Sequence, residues 1–158
     1  MTHMFDTEYL ISTESAWLDL ELIHRFLSEH SYWARGIPRD VVARSIANSL
    51  CFGVYALGND APNPARPQVG FARVATDRAT FAYLADVFVL PEHRGHGLSK
   101  RLMEAVLAHP DLQGLRRWML ATADAHELYR RYGFTALAKP DNFMQRHNPD
   151  VYKIRDPQ

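Results

Sequence analysis

The stretch Asp86-Val-Phe-Val-Leu-Pro-Glu-His-Arg-Gly-His-Gly-Leu-Ser-Lys-Arg101 decides how the chain is read. An apolar, strand-like run stops at Pro91, a turn holding Gly95 and Gly97 follows, and helical spacing begins near Gly97. Glycines let a backbone approach a ligand closely. The unpaired amides and the dipole of a helix N-terminus favour an anion there. Arg94, Lys100 and Arg101 add positive charge, opposed locally by Glu92. The alternative for such a turn is a loop that needs glycine only to change direction. The third glycine of a dinucleotide fingerprint is missing, and no Gly-Lys-Ser/Thr follows a four-residue gap, so both common nucleotide motifs are excluded.

Outward from this segment the period of the apolar residues changes twice. Upstream, Leu50–Leu57, Val69–Thr76 and Thr80–Leu90 alternate as strands and predict a three-strand meander. Asn59–Pro67, with three prolines, is expected to be an exposed hairpin loop. Before the meander, Ser15 is a candidate cap for a helix carrying Trp17, Leu20, Ile23 and Leu27, and Pro38 starts a second with Val42, Ile46 and Ser49. Downstream, Leu98, Leu102, Ala105 and Val106 form a helical stripe that ends at His109-Pro110-Asp111. A short strand Trp118–Thr122, a helix Asp124–Tyr132 and a strand-like Phe134–Leu137 complete the order. The fold class expected is α+β, a mixed, mostly antiparallel twisted sheet flanked by helices.

The chain has 158 residues, 47% of them hydrophobic and 23% charged, which suits one domain spanning 1–158 and argues against disorder. Eighteen basic and eighteen acidic residues cancel, so any anion site must be local and general nucleic-acid binding is not expected. Cys51 is the single cysteine, which excludes an internal disulfide and fits a reducing compartment. Residues 1–20 lack the pattern of a secretory signal and no apolar run approaches a membrane span, so a cytoplasmic location without membrane attachment is expected.

The central segment resembles motif A of the Gcn5-related N-acetyltransferases (GNAT), with Arg94, Gly97 and Ser99 at its patterned positions. Ala125-x-x-Leu128-Tyr129-Arg-Arg-Tyr132-Gly133-Phe134 resembles motif B of the same family. Two motifs in the right order are far more specific than one, and the likeness spans about residues 8–138. The resemblance implies acetyl-CoA as co-substrate. Backbone groups of Val87, Phe88 and Val89 would hold its pantetheine arm, and the turn from Arg94 through Gly95, His96, Gly97, Leu98, Ser99 and Lys100 would take its pyrophosphate. Where the family often has an asparagine before the motif B tyrosine, this chain has Thr122.

Transfer to an amine needs a neutral nucleophile, a polarised thioester carbonyl and a proton for the departing thiolate. By the same resemblance Tyr129 is the proton donor; the alternative is core packing, the expected fate of Tyr132. Tyr83 stands where some members have a glutamate base and cannot serve as one at neutral pH. Asp86, a carboxylate set in an apolar strand, is the candidate base, directly or through water. Otherwise it is satisfied by backbone amides or an arginine. His126 and Glu127 are reserve candidates or a solvated helix face. His93 and His96 lack a third ligand at a supporting spacing, so no metal is expected. Cys51 reads as a buried small hydrophobe.

Tyr32 and Trp33 are candidates for an aromatic wall around an amine, or for a lock between two helices. Arg35 is a candidate to meet a substrate carboxylate. Seven acids against three arginines in residues 1–40 favour a cationic acceptor. The partner expected is a small-molecule amine or a peptide amine, with a homodimer compatible. A non-catalytic acyl-CoA-binding module is the competing reading.

Overall fold

The computed structural model describes residues 9–57 and 66–153. Its centre is one sheet in the order β1 (Tyr9–Ser12), β2 (Leu50–Ala56), β3 (Gln68–Thr76), β4 (Phe81–Val89) and β5 (Arg117–Leu120). The first four strands are antiparallel and β5 is parallel to β4, so the expected mixed, mostly antiparallel α+β sheet is present. Helices α1 (Leu20–His30) and α2 (Arg39–Ala47) precede the meander, α3 (Leu98–Ala108) joins β4 to β5, and α4 (His126–Arg130) follows β5. No helix among the described residues is long and apolar enough to cross a membrane.

The sheet is buried on both faces, which is why β2 and β3 read as nearly continuous apolar runs. Phe52, Val54, Val74 and Leu84 pack with Leu98, Leu102 and Val106 of α3 on one face. Phe71 and Phe88 pack with Ile23, Phe26 and Leu27 of α1 on the other. The rings of Phe26 and Phe88 stack with centroids 4.0 Å apart. Each of these core side chains contributes about 1.5–3 kcal/mol by leaving water.

Strand β4 changes parity halfway. Phe71 pairs with Phe88 and Arg73 with Ala85, so Ala72 alone faces both Asp86 and Val87. This bulge puts Asp86 at a φ of 57°, the left-handed region that aspartate tolerates better than most side chains. Leu84 and Val89, five residues apart, therefore share the α3 face, and Phe88 turns to α1.

Several sequence expectations are corrected. Ser15–Trp17 is a short 3-10 turn, and α1 starts at Leu20, where the Asp19 carboxylate accepts from the Leu22 amide at 3.1 Å. Trp17 packs edge-on against Tyr55 instead. Helix α2 ends at Ala47, leaving Ser49 outside it. Strand β1 was not foreseen, since four residues make too short a period. Phe134–Leu137 forms no strand. Phe134 anchors against Trp118 and Tyr129, but Thr135 to Leu137 are exposed and Pro140 soon interrupts the chain. The loop expected at 59–67 lies, for residues 59–65, outside the described residues.

Candidate active site

Strands β4 and β5 are paired only from Phe81–Leu84 and Arg117–Leu120. Beyond that point β4 keeps β3 on one edge and, among the described residues, has no strand on the other. A cleft of about 870 Å³ opens there, between Ala85–Val89 and the segment Leu120–Ala125. Tyr83, Asp86, Val87, Phe88, Val89, Arg94, Ser99 and Tyr129 line it, and so do Tyr32 and Trp33 of the loop after α1. Residues drawn from five separate stretches of sequence thus meet in one place.

Gly95 and Gly97 have φ of 86° and 72°, and Gly97 is the residue immediately before α3. A Cβ at either would meet nothing within 4 Å, so conformation alone, with open space above the turn, calls for glycine. The Arg94 Nε donates to the Val89 carbonyl at 2.9 Å, tying the turn back to the end of β4. Leu98 is a core residue of the α3 face, so only its backbone can serve a ligand. His96 and Lys100 are exposed, and neither lines the cleft. Arg101 is committed elsewhere, donating to the Tyr9 carbonyl at 3.2 Å. The cluster of turn cations is smaller by that one residue.

Tyr129 is 8% exposed, and its phenol makes no hydrogen bond among the described residues. Burial, with smaller contributions from Tyr32 and Asp124, pushes that phenol above its ordinary range. It is therefore a protonated, unpartnered donor facing a cleft. Tyr132 by contrast packs, with its hydroxyl 3.3 Å from the Lys100 carbonyl.

Asp86 has partners. Arg73 Nε donates to its Oδ2 and Trp33 Nε1 to its Oδ1, each at 2.8 Å, and the Asp86 side chain is 10% exposed. Arg73 also donates to Ser49 Oγ at 3.1 Å. Of the sequence readings of Asp86, the arginine partner is present, and both carboxylate oxygens already accept a hydrogen bond. Arg73 escaped the sequence reading although it carried the same signal as Asp86, a charge within an apolar strand. Trp33 joins this network, and the Tyr32 hydroxyl accepts from the Ala123 amide at 2.9 Å. The two aromatic side chains thus lock the loop after α1 onto both lips of the cleft while remaining 58% and 42% exposed.

The other candidates separate. Thr122 lines the cleft but turns its Oγ1 to the Ala125 amide at 3.0 Å. His126 and Glu127 are exposed outside the cleft, and Glu127 pairs with Arg130. Burial pushes the Cys51 thiol up to about 12, leaving it protonated at neutral pH. His93 accepts from or donates to the Tyr9 hydroxyl at 3.0 Å, and His96 lies beside the same ring. No group of three metal-ligating side chains occurs among the described residues.

Asp6 and Glu8 lie outside the described residues; among the described residues, the acids between 9 and 40 do not line the cleft. Asp19 caps α1, Glu21 pairs with Arg39, Glu29 lies beside His30, and none of these, nor Glu14 or Asp40, lines it. Among the described residues, the carboxylates that line the cleft are Asp86 and Asp124.

A family model described as an acetyltransferase (GNAT) domain matches residues 54–136. A provisionally named acetyltransferase of Gibberella zeae is 36% identical over 136 residues, covering 77% of this chain and 76% of its own. The crystal structure of a provisionally assigned GNAT-family acetyltransferase of Xanthomonas campestris pv. campestris superposes with a TM-score of 0.85 at 53% identity, covering 98% of this chain and 99% of that one. The fold is shared at 14% identity and a TM-score of 0.54 by a predicted acetyltransferase of Clostridium acetobutylicum crystallised with acetyl-CoA, covering 88% of this chain and 94% of that one.

Proposed function

The chain belongs to the GNAT acetyltransferase family, and on that premise we propose that it transfers an acetyl group from acetyl-CoA to a primary amine by direct attack. The family uses acetyl-CoA, and the Clostridium acetobutylicum protein of the same fold holds it. The observation that carries the reading is the unpartnered edge of β4 beside the Tyr129 phenol. The outward backbone groups of β4 from Ala85 to Val89, apart from the Val89 carbonyl that accepts from Arg94, suit the amide-rich pantetheine arm as an added strand. The amides of Gly95 to Lys100, at the N-terminus of an eleven-residue helix, suit a pyrophosphate.

Bound acetyl-CoA supplies the activated acetyl group as a thioester. Backbone amides near Phe88 polarise its carbonyl. The neutral amine forms the C–N bond as the C–S bond breaks. Tyr129 gives its phenolic proton to the departing sulfur, the amine releases one proton to water, and a proton from solvent restores the phenol, so the protons balance. Asp86 acts by position. Its two oxygens keep lone pairs beyond those used by Arg73 and Trp33, and a water held there takes the amine's proton. Tyr32, Trp33 and Tyr83 form the acceptor side of the cleft, with the amine on a small molecule or a peptide.

The pairing of Asp86 with Arg73 favours a second reading, a non-catalytic acyl-CoA-binding module without a free base. Thiol release from acetyl-CoA with a panel of small amines and basic peptides separates the two. Amine-dependent release is expected; CoA binding with no release from any amine selects the module, and no calorimetric binding of CoA at millimolar concentration defeats both.

A further inference from the structure

A second cavity of about 480 Å³ lies against the first. It sits between α1 and the segment that follows β4, and it shares Phe26, His30 and Arg94 with the main cleft. Its remaining polar lining is Arg25 and Glu92. Two arginines and one imidazole therefore line the pocket with a single carboxylate, Glu92, while Glu29 beside His30 and Glu21 near Arg25 lie outside the lining. Arg25 makes no hydrogen bond or ion pair among the described residues, and Glu92 pairs with neither arginine. Arg94 commits only its Nε, leaving two guanidinium nitrogens. Leu22, Phe26 and Leu90 supply the apolar part of the lining, while the charged groups remain exposed.

Resting on the transferase reading above, we propose that this side pocket binds an anionic group of the acceptor, a carboxylate or a phosphate, and so selects amines that carry one. The pocket shares Arg94 with the turn that would take the pyrophosphate, and Arg25 is what distinguishes it. The turn amides belong to α3, which packs on one face of the sheet, whereas Arg25 is on α1, which packs on the other. From Val87, midway along the open edge of β4, to Leu90 at the pocket is about 10 Å at the rise of a strand. The acceptor that fits has its amine and its anion about 7–10 Å apart. Guanidinium groups are the usual partners of carboxylate and phosphate because their planar forks match those anions in geometry.

Three amines of one length test the assignment: 6-aminohexanoate, 6-amino-1-hexanol and 1,6-diaminohexane, each titrated calorimetrically into the protein with and without CoA and each assayed for thiol release. The expected order of affinity is anion, alcohol, diamine, with about tenfold between the first two, the size of one charge-assisted hydrogen bond. Arg25→Gln, an exposed helix position, is expected to bring the ratio of the first two close to one, and Arg25→Lys to retain several-fold of it. Tightest binding of the diamine, or a preference that survives Arg25→Gln, overturns the proposal. So does an Arg25→Gln variant that loses affinity for CoA but not for 3′-dephospho-CoA, because the pocket would then serve the cofactor's phosphate. Preferential binding of the anion without thiol release breaks the transferase reading and leaves the pocket standing; thiol release without preference does the reverse.

Discussion

The two walls of the cleft are built by opposite means. One is contiguous in sequence: the open edge of β4, the glycine turn and the start of α3 span residues 85–100 and offer backbone groups. The other is assembled from side chains remote from one another, Trp33 reaching Asp86 across 53 residues and Tyr32 reaching Ala123 across 91. A wall of backbone depends on conformation and is indifferent to most side chains. A wall of side chains depends on every partner being held in place.

The largest effect expected falls where the walls meet. Tyr129→Phe is expected to lower turnover about a hundredfold, the lower range for loss of a positioned acid, with acetyl-CoA affinity nearly unchanged. Burial raises the Tyr129 phenol above its ordinary value near 10, so this acid is protonated throughout the neutral range. Any alkaline fall in turnover due to its ionisation lies above pH 10 and is absent from the variant. Unchanged turnover, measured by thiol release, removes Tyr129 from the chemistry and leaves the two walls without a junction.

Next comes the side-chain wall. Arg73→Met leaves the Asp86 carboxylate mostly buried beside Trp33 alone, and about 2–3 kcal/mol of stability should go with it. For a chain of this length that is roughly 4–12 °C in Tm by thermal denaturation. Restoring neutrality with Asp86→Asn in the same chain should recover part of the loss. A double variant no more stable than the single one would mean that Asp86 and Arg73 do not depend on each other.

The smallest effect belongs to the backbone wall. Gly97→Val forces a β-branched residue to a φ of 72°, at a cost on the order of 1–3 kcal/mol, and should weaken CoA binding roughly tenfold. Ser99→Ala, which changes a side chain and leaves the conformation alone, should shift it little. A Ser99 effect equal to that of Gly97 would erase the distinction between the walls.

How much of this was legible follows the same division. The turn, α3 and the meander were read because glycine, proline and the apolar period act locally. Tyr129 was singled out through the resemblance of Ala125-x-x-Leu128-Tyr129 to motif B; its helical spacing alone left core packing equally open. The neighbourhood of Asp86 was only half legible: the lone charge in a strand was visible, but not the bulge that turns it or the arginine that meets it. Arg25 gave no local signal, because a charged residue on a helix face looks the same whether it borders a cavity or open solvent. The described acids of residues 9–40 gave no local signal of which face they occupy, for the same reason.

By itself the sequence determined most of the order of the elements and the conformation of the glycine turn, since each is set by neighbours within a few residues. Only the tertiary structure decided that β4 parts from β5 to leave an edge open, that Asp86 is held by Arg73 and Trp33, and that the cleft's outer branch is basic. Those features depend on side chains brought together across the sheet, where register and bulge, and not spacing along the chain, choose the partners.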